Sequence, residues 1–479
     1  MNILKVCIFL LPFLIMSCST FRSVKKAENE SNLKPRVVIL TDIAPTTIEP
    51  DDIESMVRLM AHADLLEIEA IITTSGWNSS GRLYPLDWKD SAMNVVSAYE
   101  KDLPNLMKRS GQTSFLPFEE ECKVQRIGYW PSAEYLRSRI MIGSRDFGHN
   151  VLGKSNNSEG SEFIIKLADE SDPRPLWIAL WGGGNTIAQA LWKIMNERTE
   201  QEVERFLDKI YIYAITDQDV SYGNRGKYRL SSHYWMRKTF GEKLKFIWDE
   251  SAWLSYCSIG AGRWDEYATN IQNHGYLGKI YPKNKYGVEG DTPSFMHILP
   301  IGLNNPEILS QNGLGGYFLW QKTLDGETFC FTNSDNTTKT ISKKYEKYFY
   351  SAAFNNFAAR MDWAHEGKGN TNPNVVVNGE KGHSVIEKMV SAGKIIKLDA
   401  SKSNDPENDS LTFKWWQLVE AGTFQKKIKI INADKDSVML HIPDESAGKS
   451  IHIICEVTDN GIPKLTSYRR VVIYVKQKS

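Results

Sequence analysis

The stretch Arg36–Met60, RVVILTDIAPTTIEPDDIESMVRLM, decides the fold. Its opening RVVIL is an unbroken apolar run rich in β-branched residues, the pattern of a strand buried on both faces of a parallel sheet. Beyond Asp51, the residues Ile53, Met56, Val57, Met60 and Ala61 recur at helical spacing, so IESMVRLMAHA reads as an amphipathic helix with Asp51 and Asp52 in its first turn. The next segment, IEAIITTS, is a second buried-type strand, and strand, helix and strand in quick succession make a βαβ unit. Between the first strand and its helix, Asp42, Glu49, Asp51 and Asp52 crowd one turn. Their mutual repulsion costs stability unless something positive sits among them.

The same alternation continues along the chain. EFIIKLA is a helix, PLWIALWGGG a strand running into a glycine turn, and NTIAQALWKIMNE the helix after it; KIYIYAIT and KLKFIWDES are strands that end in acids. A mainly parallel α/β sheet with flanking helices follows, and its ligand site lies outside the carboxyl ends of the strands. Asp42, Ser75, Asn78, Asn185 and Asp217 fall at such ends. SAAFNNFAARMDWA reads as the last helix of this unit, and KGNTNPN has the composition of a boundary. From about residue 374 the texture changes to KIIKLDAS, LTFKWWQLV, SVMLHIP, SIHIICEVTDNG and YRRVVIYVK, alternating strands of a smaller antiparallel β-sandwich of immunoglobulin-like type. The expected division is 1–18 signal, 19–34 flexible tether, 35–368 α/β domain and 374–479 sandwich.

Lys+Arg and Asp+Glu both number 58, which leaves no basic excess for nucleic acid. The 14 Trp and 20 Tyr suit cores and also platforms on which sugars stack. At the N-terminus, Lys5, the apolar run CIFLLPFLIM and Ser17 before Cys18 form a bacterial export signal too short to span a bilayer. Ile15–Cys18 resembles a lipobox, which implies a lipidated Cys18 and an exported protein anchored to a bacterial membrane, the outer membrane, on its periplasmic or cell-surface face. Cys122, Cys257, Cys330 and Cys455 form no C-x-x-C pair and read as buried free thiols.

Several acids at a strand's carboxyl end and the next helix start make an oxygen-rich set suited to calcium, although Asp51 and Asp52 would also serve as a helix cap. Here the sequence resembles the nucleoside hydrolases, whose signature D-x-D-P-G-x-D-D matches Asp42 at its first Asp and Asp51–Asp52 at its closing pair. RVVILTD…EPDD, TTSGWN, EGSEFIIKLA, PLWIALWGGGNTIAQAL, TDQD and EGDTPSF are similar to the nucleoside-hydrolase-like branch of bacterial cellulose-binding proteins, and LDASKSNDPENDSLTFKWW…IHIICEVTDNG to the sandwich that follows in that branch. The resemblance implies a calcium shell of Asp42, Asp51, Asp52, Asp291 and the main-chain carbonyl of Asn185, with Asn78 on the sugar. The signature's second Asp has no counterpart, Ala44 lying near it, and Gly290 stands where many nucleoside hydrolases carry a leaving-group His.

These departures make Glu49 a replacement ligand or base and disfavour N-ribosyl hydrolysis. The expected catalytic groups are Asp42, Glu49 and Asp217; Trp77, Asn78 and Asp219 are expected on the substrate. Two carboxylates in unlike environments can flank a glycosidic bond, although Asp217-Gln218-Asp219 also fits a turn. His149, His233 and His297 remain possible acids, but a lone His in an apolar context more often reads as structural. In the sandwich, Asp399, Asp405, Asp409 and Asp459 fit either a calcium loop or Asx turns, and one of Trp415–Trp416 is core while the other is free to meet a sugar. The expectation is a calcium-dependent glycosidic hydrolase acting on polysaccharide-derived carbohydrate, with a non-catalytic carbohydrate binder as the alternative.

Overall fold

The computed structural model describes residues 33–45, 48–77, 89–116, 126–283, 287–310 and 312–477. Cys18, Asn78 and Cys122, and the signal and most of the tether, lie outside the described residues. The α/β unit is built on an eight-stranded sheet in the order β3-β2-β1-β4-β5-β6-β8-β7. Its strands are β1 (Arg36–Thr41), β2 (Glu67–Thr73), β3 (Ile140–Ile142), β4 (Leu176–Leu180), β5 (Ile210–Ile215), β6 (Lys245–Asp249), β7 (Leu319–Lys322) and β8 (Phe329–Thr332). All neighbours are parallel except the β7–β8 hairpin. Alternation along β1 sends Val37 and Ile39 into one core and Val38 and Leu40 into another, one on each face of the sheet.

Register builds the edge at which the site forms. Thr41 pairs with Thr73, Leu40 with Leu180, and Leu180 with Ala214. The residues just past these strands, Asp42, Gly76, Gly182 and Asp217, are thereby delivered to one rim.

The acidic helix, Pro50–Ala61, is buried all round and not only on its apolar stripe; even Glu54 and Arg58 are inside. Its polar face is packed because Glu54 accepts a hydrogen bond from the Glu289 backbone N–H (2.8 Å) and Arg58 pairs with the Glu289 carboxylate at 2.6 Å. The last helix is also longer than the sequence pattern suggested, running Asn336–Glu366 from an Asp335 cap. Its lysine-rich first half carries Ile341, Tyr345, Tyr348 and Phe349 at helical spacing, and Tyr345, Tyr348 and Phe349 meet Trp416 of the second domain.

That domain is a sandwich of two sheets, β10-β13-β12 and β11-β14-β15-β9. The strands are β9 (Ile386–Ser391), β10 (Ile395–Asp399), β11 (Thr412–Gln417), β12 (Lys429–Ile431), β13 (Ser437–His441), β14 (Ser450–Thr458) and β15 (Thr466–Lys476). One pairing departs from the antiparallel expectation: β9 lies parallel to β15. Cys257, Cys330 and Cys455 are buried free thiols. Trp415 is core, but Trp416 is not free for a sugar: it packs on Tyr345, Tyr348 and Phe349 and donates from Nε1 to Glu456 at 2.8 Å. Asp405 and Asp459 accept local backbone N–H groups as Asx turns do, and Asp399 caps Ser401 and meets Lys397.

Trp416 thus fastens the sandwich to the long helix. Trp416→Ala is expected to lower stability by about 2–3 kcal/mol and to uncouple the two units, read as a second transition in denaturant unfolding.

Candidate metal centre and the adjoining acidic pair

The acidic turn gathers its carboxylates through hydrogen bonds that begin in β1. The Thr41 hydroxyl donates to Asp52 and accepts from the Ile43 N–H (3.0 Å), curling the chain back on the strand end. Glu49 occupies the cap position of the helix but makes no side-chain cap bond, and neither acid of the first turn caps it. Oxygens of Glu49, Asp51 and Asp52 instead lie within 4.8 Å of one another.

Asp291 joins them from the far end of the chain. Its N–H donates to Ser55 Oγ at 3.3 Å, and its carbonyl accepts from Ser294 Oγ, which itself takes the Trp181 indole N–H. Glu289, two residues earlier, holds a left-handed backbone (φ 56°), a strained conformation that the Arg58 pair keeps in place.

Burial pushes Glu49 well above the ordinary carboxylate range, with Asp42, Asp51 and Asp52 adding repulsion. Burial also raises Asp52 and Asp291 strongly and Asp51 to a lesser degree; for Asp52 and Asp291 the strongest neighbouring charges are other carboxylates. One oxygen each of Glu49 and Asp291 is buried with no hydrogen-bond partner among the described residues. A hard cation fits this set, because calcium holds its oxygen ligands at about 2.4 Å, so two oxygens on one ion stand up to about 5 Å apart. Asp42, Asp51, Asp52, Asp291 and Glu49 are the residues that would hold it.

Glycines let the rim close on Asp42. A Cβ at Gly76 would stand 1.9 Å from Asp42 Oδ2, and one at Gly182 would stand 2.9 Å from Asp42 Oδ1. The next residue, Gly183, faces Asp219, and Gly184 faces the His233 ring. A second acidic group therefore adjoins the first across the glycine run.

In it, Asp217 accepts the Ser231 hydroxyl at 2.7 Å and lies 3.4 Å from His233 Nδ1. Asp219 accepts the Ser232 and Gly148 N–H groups at 2.7 and 3.1 Å. Burial pushes Asp219 up to about 7 and His233 down to about 4. Glu250, raised to about 7 by burial, takes hydrogen bonds from Thr216 and Trp248, and Thr216 holds φ 49°. Asn185 heads its helix, but its side-chain amide is spent on the Gly148 carbonyl at 2.5 Å, on the Asp219 side. Trp77 stands at the end of the β2 loop, edge-on to Tyr222 with ring centroids 6.2 Å apart, and Arg225 lies over both rings. Tyr222 is 56% exposed and Trp77 is half-buried behind it.

Of the groups that sequence reasoning left out, Ser55, Arg58 and Glu289 position the cluster, and Glu250, Tyr222 and Arg225 stand about the second group beside His233. Glu289 stood in the quoted EGDTPSF and the glycine run in PLWIALWGGG, which were legible signals; nothing in the sequence linked Arg58 to Glu289.

A mainly parallel sheet with an aspartate cluster past β1 defines a nucleoside-hydrolase-like protein. The family model "Cellulose-binding Sde182, nucleoside hydrolase-like domain" matches residues 36–318, and "Cellulose-binding protein Sde0182, C-terminal domain" matches 395–475. The chain is 33% identical to a solved nucleoside hydrolase-related hypothetical protein from Saccharophagus degradans that is associated with carbohydrate metabolism, over 92% of this chain and 100% of that one, with a TM-score of 0.78. The chain belongs to this Sde182 nucleoside-hydrolase-like family. The PKD domain of the KIAA 1837 protein (19% identity, 21% of this chain and 95% of that chain, TM-score 0.17) and the effector protein XOO4466 (10% identity, 72% and 99%, TM-score 0.33) align too weakly to say more. No functionally curated protein matches the chain.

Because burial raises Glu49, Asp51, Asp52 and Asp291, with repulsion adding to it at Glu49, Asp52 and Asp291, these carboxyls hold protons more tightly folded than unfolded. The stability they lend is present below their unfolded pKa of about 4 and is lost as pH rises through the higher folded values. Chelated protein is therefore expected to melt at falling temperature as pH climbs from about 4 to 8, with calcium at pH 7.5 restoring several degrees. Differential scanning calorimetry of Asp52→Asn should give a flatter pH profile and little calcium response.

Proposed function

We propose that this protein is a calcium-dependent hydrolase of glycosidic bonds in polysaccharide-derived carbohydrate. The observation that carries the reading is the five-carboxylate cluster at the sheet's carboxyl edge, with the half-buried Trp77 and the exposed Tyr222 paired in the loops of the same edge. The cellulose-binding description of the family and the carbohydrate association of the Saccharophagus degradans relative support carbohydrate as the substrate class.

A divalent cation in the cluster supplies acidification of a water and a fixed seat for sugar hydroxyls. Glu49 keeps partial exposure beside Asp51 and Asp52, which suits it to take a proton. Asp217 is engaged by Ser231 and lies beside His233, so it orients its surroundings; Asp219, raised to about 7 by burial, is partly protonated at neutral pH and is the group with a proton to give to a leaving oxygen. Trp77 and Tyr222 offer the apolar faces on which a sugar ring stacks, and Asn78 follows directly in sequence.

A second reading, a carbohydrate binder without catalysis, is favoured by one observation: Ala44, near the place of the signature's second Asp, is a buried alanine and brings no carboxylate. Reducing-end release from an oligosaccharide panel separates the two. Activity that needs calcium and falls roughly 10²–10⁴-fold in Asp51→Asn/Asp52→Asn supports hydrolysis; binding without release in either protein supports the binder. Trp77→Ala and Tyr222→Ala are each expected to raise KM roughly 3–10-fold with little change in kcat.

The reading includes export and anchoring through lipidated Cys18 in a bacterial outer membrane. Cys18→Ser expressed in a bacterial host should move the protein from the membrane to the soluble fraction, which membrane fractionation checks.

A further inference from the structure

The loops that leave β2 and β5 meet over the site. β1 and β4 lie between those two strands in the sheet order, and Trp77 of the first loop pairs with Tyr222 of the second at 6.2 Å between ring centroids. The pair therefore spans the carboxyl ends of β1 and β4, just past which stand Asp42 and Gly182. Arg225 lies over both rings, 4.0 Å from the centroid of Tyr222 and 5.5 Å from that of Trp77.

The β5 loop carries charge of one sign. Between Asp219 and Glu242 the sequence holds Arg225, Lys227, Arg229, Arg237 and Lys238 and no acid. Two carboxylates from the β7–β8 turn answer three of these cations: Asp325 pairs with Arg237 at 3.0 Å, and Glu327 pairs with Arg229 and Lys238. Arg225 and Lys227 are exposed and meet no carboxylate among the described residues; Arg225 rests on the two rings, and Lys227 donates to Asn224 Oδ1 at 2.8 Å.

Unpaired cations are common on surfaces, but these two stand on a hydrogen-bonded turn. The Asn224 N–H donates to the Ser221 carbonyl (2.7 Å) and its side-chain amide to Ser221 Oγ (2.9 Å), while the Lys227 and Leu230 N–H groups donate to the Asn224 and Lys227 carbonyls (2.9 and 3.0 Å). Gly226 supplies the left-handed step within the turn, with φ 81°. The loop then ends on Ser231 and Ser232: the Ser231 hydroxyl donates to Asp217 and the Ser232 N–H to Asp219. One loop thus ties the two cations to the acidic pair and to the aromatic pair.

We propose that the sugar received at the Trp77–Tyr222 pair carries a carboxylate, as a uronic acid does, and that Arg225 and Lys227 bind it. The inference rests on the reading of this edge as a carbohydrate site and names the class of carbohydrate. Arginine suits the task because its guanidinium sits on aromatic faces while its fork of donors matches a carboxylate. The charges about the site act in the same sense: carboxylates gather at the cluster with Asp42, and the two unpaired cations stand in the loop that arches over that rim. An acidic sugar is thereby turned with its charge toward Arg225 and Lys227 and its hydroxyls toward the cation seat.

The test is isothermal titration calorimetry of the full chain, with calcium present throughout. The probes are oligosaccharides bearing glucuronate on glucan, xylan or N-acetylhexosamine backbones, each beside its carboxyl-reduced counterpart and a sulfated one. At least one uronate member is expected to bind ~5-fold or more tighter than its reduced form, with the ratio falling toward one at high salt. In Arg225→Gln/Lys227→Gln the ratio should also fall toward one, and the affinity for the reduced form reports that this variant is folded. Equal affinity for uronate and reduced forms, or a ratio unchanged in the variant, overturns the proposal and leaves the carbohydrate reading standing. Tighter binding of the sulfated member overturns the assignment to a carboxylate. Binding of no uronate member overturns the proposal as well, and the carbohydrate reading falls with it only if the neutral members also fail to bind.

Discussion

The buried pair of Arg58 and Glu289 is the interaction on which the rest depends. Two charges inside a protein cost several kcal/mol each to desolvate, and the cost is offset only by good geometry and further hydrogen bonds. Both conditions are met. Arg58 also donates to Tyr256 and the Ala353 carbonyl and lies over the Phe357 ring, while Glu289 also accepts from Tyr281 at 2.8 Å. The pair fastens the acidic helix to the segment carrying Asp291, so carboxylates more than two hundred residues apart in sequence meet in one cluster.

The second constraint is the sheet register. With Leu40 level with Leu180, and Leu180 level with Ala214, the loops after β1, β4 and β5 leave at the same height, and only side-chain-free positions let them close. Gly182, Gly183 and Gly184 meet Asp42, Asp219 and His233 in succession. The glycine run therefore acts as the partition between a cluster that is short of positive charge and a group in which one acid, Asp219, is held near 7.

The parallel unit was legible because its strands are continuous apolar runs, and the sandwich because its strands alternate; both patterns are local. Asp42, Asp51, Asp52 and Asp291 were legible as one site only through the family signature, since nothing local joins position 291 to position 42. What stayed hidden was long-range. Arg58 sits on the polar face of a helix that reads as amphipathic, so its burial could not be inferred until Glu289 was seen against it. Trp416 read as available for a sugar because nothing local ties it to its partners Tyr345, Tyr348 and Phe349, which lie some seventy residues earlier in a lysine-rich stretch.

Ala44 and Glu49 belong to one argument. In this chain the strand side of the turn supplies a single carboxylate, Asp42, and the position near the signature's second Asp is a buried methyl. The longer loop returns a carboxylate from the helix side, at the residue before the first helical turn, where the unpaired N–H groups and the helix dipole favour negative charge. Burial and the neighbouring Asp42, Asp51 and Asp52 nevertheless raise Glu49 well above the ordinary carboxylate range, so its ionised form calls for a cation in the cluster. The cluster thereby keeps its count of oxygens, with the half-buried Glu49 and Asp51 on the helix side standing against the enclosed Asp42 on the strand side.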